Sequence, residues 1–73
     1  MSRFKVELVT MTDCVRFVAE TNKVKGLVYL ESGDGHFRVN AKSLLGAAAS
    51  AEWTDLWVTS EEEIYSYVRD WIV

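Results

Sequence analysis

Hydrophobic and polar residues alternate at the start of the chain. Phe4, Val6 and Leu8 are separated by Lys5 and Glu7, the period of two that a half-buried strand requires. The period then lengthens: Cys14, Phe17, Val18 and Thr21 recur at i, i+3, i+4 and i+7, one weakly apolar stripe along a helix. Thr12 or Asp13 is placed to cap its first turn, and Asn22-Lys23 with Gly26 marks its end. Leu27 to Leu30 predicts a second strand with Val28 and Leu30 on one face. Ser32-Gly33-Asp34-Gly35 holds an Asp-Gly pair between two apolar runs, a hairpin signal. Phe37, Val39 and Ala41 form the inward face of a third strand, with Arg38 and Asn40 outward.

The second half continues the same grammar. Leu44 to Ala51 reads as a helix, rich in alanine and opened by Ser43 as its N-cap. Gly46 within it costs about 1 kcal/mol relative to alanine and predicts close packing at that position. Asp55 to Val58 predicts a fourth strand, with Leu56 and Val58 inward and Trp57 outward. Ser60-Glu61-Glu62-Glu63 has the S-x-x-E form of a capping box, and Ile64, Val68, Trp71 and Ile72 then share one stripe of a closing helix. The order β-α-β-β-α-β-α predicts an α+β fold, a sheet covered by helices on one face.

Composition narrows the class. The 73 residues are 49% hydrophobic and 26% charged, without proline, which describes an ordinary globular chain and one domain over residues 1–73. A chain this short buries only about 60% of the surface that its unfolded form exposes, so modest stability is expected. The net charge is −3, and Arg3, Lys5, Lys23, Lys25, Arg38 and Lys42 are scattered along the sequence. No basic patch is visible, so nucleic acid is not an expected partner. A single Cys14 precludes an intramolecular disulfide and fits a reducing compartment. No signal-peptide pattern opens the chain and no apolar run reaches the length of a membrane span. The expectation is a complete, cytoplasmic protein that does not engage a membrane.

The stretch Phe37 to Ala49, FRVNAKSLLGAAA, carries a resemblance. A strand leading into a helix that opens with Lys-Ser-Leu-Leu-Gly resembles the HPr family, the histidine-containing phosphocarriers of the bacterial sugar phosphotransferase system. Asn22-Lys23-Val24-Lys25 and Val28-Tyr29-Leu30-Glu31 are similar to the end of that family's first helix and its second strand. The residue-level likeness runs from about position 22 to 49, and the element order extends it over nearly the whole chain. It implies an open-faced sandwich, a four-stranded antiparallel sheet with three helices on one face. The departure lies at the start of the first helix. The family places a phosphorylatable histidine there, followed by alanine, arginine and proline; this chain has Thr10-Met11-Thr12-Asp13-Cys14-Val15-Arg16. The resemblance therefore implies binding and control, without phosphate relay through histidine.

Candidate residues follow from both readings. As a residue type Ser43 is a helix cap; the resemblance implies regulatory phosphorylation at the same hydroxyl. The resemblance also implies that apolar residues after this serine dock protein partners, here Leu44, Leu45 and Ala48, with one leucine turned inward. Alanines at 47, 48 and 49 leave a smoother patch than the family's bulkier residues. Cys14 near a helix start is read as a small buried apolar residue, with a reactive thiolate as the alternative. His36 has no Cys or His partner at ligand spacing and is expected at an exposed strand edge. No nucleophile-base pair, phosphate loop or metal cluster can be assembled, so neither enzymatic activity nor a cofactor is expected. Two alternatives stand beside the regulatory reading. One is a phosphocarrier using Asp13 or His36; the other is a homodimeric module joined through Trp57 and the closing-helix aromatics Tyr65 and Tyr67.

Overall fold

Alternating residues at the N-terminus form β1 (Ser2–Lys5), the first element of a computed structural model that describes residues 1–73. There follow α1 (Met11–Thr21), β2 (Val28–Ser32), β3 (Arg38–Asn40), α2 (Leu44–Ser50), β4 (Leu56–Ser60) and α3 (Tyr65–Val68). A 3-10 turn over Arg69–Trp71 continues α3. The strands make one sheet in the order β1-β4-β2-β3, and every pairing is antiparallel. The α+β open-faced sandwich and its element order are as the sequence predicts.

Register decides which side chains share a face. Phe4, Val58, Leu30 and Val39 stand opposite one another across all four strands. They turn toward the helices, where Phe17, Leu30, Val58, Ile64 and Val68 are completely enclosed. The next row along each strand, Lys5, Trp57, Glu31 and Arg38, points to the uncovered face, as do Arg3, Thr59, Tyr29 and Asn40. Trp71 closes the core edge-on against Phe17, with ring centroids 5.3 Å apart.

Several boundaries differ from the sequence expectation, each for a local reason. Thr10, not Thr12 or Asp13, caps α1. Its hydroxyl accepts from the Asp13 amide at 3.1 Å, and the Asp13 carboxylate answers by accepting from the Thr10 amide at 3.2 Å, a capping box that starts the helix two to three residues before the expected cap. The predicted box at Ser60 does not form. Ser60 ends β4, its hydroxyl donating to the Leu27 carbonyl at 2.8 Å and accepting from the Glu62 amide at 3.0 Å. The closing helix instead begins at Tyr65 with no side-chain cap, although Ile64, Val68 and Trp71 are buried as the stripe requires. Phe37 precedes β3 at the sheet's rim and is exposed, lying tilted against Trp53 at 5.8 Å.

Candidate functional site

The approach to α2 is fixed from behind. The Thr21 hydroxyl donates to the Ala41 carbonyl at 2.8 Å, the Asn22 amide donates to the Lys42 carbonyl at 3.0 Å, and Lys42 Nζ reaches back to the Val24 carbonyl at 2.5 Å. These bonds clasp the end of α1 to the loop that delivers Ser43. From the other side, a Cβ at Gly46 would lie 2.8 Å from the Asn40 carbonyl oxygen, so the glycine is what lets α2 settle against β3. The close packing expected at Gly46 is present.

Held in this way, Ser43 has an extended backbone and its hydroxyl accepts from the Gly46 amide at 3.2 Å. Leu44 and Leu45 follow, 44% and 82% exposed. The inward turn expected of one leucine does not occur. Ala47, completely buried, fills the contact with the core instead. Ala48 is half-buried between them and the exposed Ala49. Ser43, Leu44 and Leu45 are thus consecutive at the start of α2, with Ala48 one turn on, and the two leucines leave large apolar surface in water.

The start of α1 is chemically quieter. Asp13 accepts from the Val9 and Thr10 amides at 3.0 and 3.2 Å, and these backbone bonds hold its carboxyl below the ordinary range. Cys14 is buried, and desolvation pushes its thiol above the ordinary value, the reverse of what a reactive thiolate needs. Arg16 lies 3.5 Å from Asp70 and over the Trp71 ring, a structural role. His36 is exposed, in the turn before β3 and not in the strand, with Nδ1 3.2 Å from an Asp34 carboxylate oxygen. No helix is long and apolar enough to cross a membrane.

The aromatics named as a dimer surface are divided. Tyr65 packs edge-on against Phe4 on the helix side, whereas Trp57 stands on the uncovered face. That face gathers what the sequence scatters. Arg3 lies 4.2 Å from the Trp57 ring centroid and Arg38 lies 4.6 Å from that of Tyr29, while both guanidinium groups turn to Glu31. Sequence reading missed this cluster because its members come from four strands, and only their register brings them side by side.

Comparison with protein-family models, with curated proteins and with solved structures finds no match to this chain.

Proposed function

We propose that this chain is an HPr-like, non-catalytic interaction protein that docks a protein partner through the Leu44–Leu45 end of α2, with Ser43 as a phosphorylation switch. The observation that carries the reading is the exposure of both leucines directly after a serine cap, on a helix anchored to α1 and β3. An anchored helix end presents its apolar side chains on a backbone that needs no further ordering on binding. The element order agrees with what the resemblance of residues 22 to 49 implies. Phosphate at Ser43 would add about −1.5 to −2 charges beside the leucines, opposing an acidic partner and favouring a basic one.

The test uses HPr kinase and ATP, with phosphate mapped by mass spectrometry, and binding of the same kinase measured by calorimetry. Labelling at Ser43, and loss of binding in Leu45→Asp, are the expected results. A chain that is neither bound nor labelled would remove both halves of the reading. Incubation with enzyme I and phosphoenolpyruvate is expected to leave Asp13 and His36 unlabelled. Label on either would replace regulation with phosphate carriage.

A further inference from the structure

The turn between β2 and β3 brings a carboxyl next to an unshielded backbone nitrogen. Every other Asp or Asn in the chain is followed by a residue with a Cβ, whereas Asp34 is followed by Gly35. Beyond its chain neighbours, no heavy atom lies within 4 Å of where a Cβ on Gly35 would stand. An aspartic acid beside so open a nitrogen can close on itself. The Gly35 nitrogen attacks Cγ of the neutral carboxyl, and the amide proton leaves with the carboxyl hydroxyl as water. A five-membered imide remains. Water then adds back at Cγ, restoring aspartate, or at the α-carbonyl, giving a β-linked isoaspartyl residue.

In the folded hairpin each reacting group is engaged. Oδ1 of Asp34 accepts from the Ser32 hydroxyl at 2.6 Å and from the His36 amide at 2.9 Å, and Oδ2 lies 3.2 Å from His36 Nδ1. Donors around a carboxylate favour its ionised form, which is a poor electrophile because it would have to expel oxide. The Gly35 amide donates to the Ser32 carbonyl at 2.9 Å, so the nucleophile is tied into the turn as well. Ser32 thus acts three times, since its hydroxyl also accepts from the Phe37 amide at 3.0 Å. The Asp34 side chain is nevertheless 59% exposed, and water reaches it without any movement of the core.

We propose that Asp34-Gly35 is a latent isoaspartyl modification site, latched in the folded chain by the Ser32 hydroxyl. Opening of the turn alone, without unfolding of the domain, frees the carboxyl to take a proton and cyclise. The β-linked product adds one carbon to the backbone of the turn and moves the carboxylate off Cγ. Its contacts with Ser32 and the His36 amide do not re-form as they were, so the modified hairpin stays loosened.

Incubation of the full chain at neutral pH over weeks tests this. Isoaspartate is counted by methyl transfer from S-adenosylmethionine through protein L-isoaspartyl methyltransferase, and located in the tryptic peptide 26–38. Modification of the folded chain should run at least about tenfold slower than in guanidinium chloride. Ser32→Ala, shown to be folded by circular dichroism, should speed it about three- to tenfold, the factor that one lost hydrogen bond implies. Ser32→Thr, which keeps the hydroxyl, should restore the slow rate. Gly46→Ala weakens the domain away from this turn and should leave the folded rate unchanged. Equal rates in the folded and denatured chain, a wild-type rate in Ser32→Ala, or a threonine variant no slower than the alanine one would overturn the proposal. Equal acceleration by Gly46→Ala would do the same, by showing that modification follows global unfolding.

Discussion

A Cβ at position 46 would sit 2.8 Å from a backbone carbonyl oxygen and 3.4 Å from the Val39 Cβ, so a substitution that helps the helix alone must harm the fold. Alanine is favoured over glycine in a helix by about 1 kcal/mol, but separating α2 from β3 costs about 1–3 kcal/mol. Gly46→Ala is accordingly expected to lower the urea midpoint, and a raised midpoint would show that the contact is slack. Two carboxyls contribute to the response to acid. Asp13 is held below the ordinary value of 3.8 by the Val9 and Thr10 amides. Asp34 is lowered by the Ser32 hydroxyl at 2.6 Å and the His36 amide at 2.9 Å. The unfolded chain then takes up these protons first as pH falls. Their contribution is complete well above 3.8 and is lost as pH drops through the lower folded values. Urea midpoints should fall below about pH 4, and Asp13→Asn with Asp34→Asn should flatten that fall. Equal acid sensitivity in the double variant would refute the assignment.

At the scale of elements, the Ser32 side chain reinforces the hairpin between β2 and β3. The Ser32 hydroxyl donates to Asp34 and accepts from the Phe37 amide at 3.0 Å, while Gly35 supplies the turn's positive φ of 80°. Ser32→Ala leaves the Phe37 amide without its side-chain partner and should cost about 0.5–1.5 kcal/mol, with faster hydrogen exchange at Phe37 as the local readout. The Asp-Gly pair made this turn legible, and alternation made the buried faces of β2 and β4 legible, because burial imposes the period directly. Strand ends were not legible for the opposite reason. Ser60 is a buried polar residue whose hydroxyl is satisfied by the distant Leu27 carbonyl, and a serine followed three residues later by glutamate has the same form whether it caps a helix or ends a strand. The candidate docking end of α2 was legible as a run of residue types. The outward position of both leucines was not, because it depends on how Gly46 seats the helix and on Ala47 filling the core contact.

For the whole molecule, the decisive contact is between its ends. The Glu7 amide donates to the Trp71 carbonyl at 2.9 Å and the Val73 amide donates to the Lys5 carbonyl at 3.0 Å, with Val6 and Ile72 forming an antiparallel bridge. The last residues thus tie the short α3, too short to be stable alone, to the strand at the sheet's edge. Trp71 places its ring against Phe17 in the same stroke, joining α1, the C-terminus and the core. A chain of this length has a total stability of only about 4–11 kcal/mol, and truncating a buried tryptophan costs about 3–5 kcal/mol. Trp71→Ala should therefore bring the domain close to unfolding at 37 °C, whereas Leu45→Asp, on the opposite kind of surface, should change stability by no more than about 0.5 kcal/mol. Urea unfolding followed by circular dichroism measures both on one scale. Equal losses would mean that Leu45 supports the fold, and the exposed leucines would then have no surplus to offer a partner.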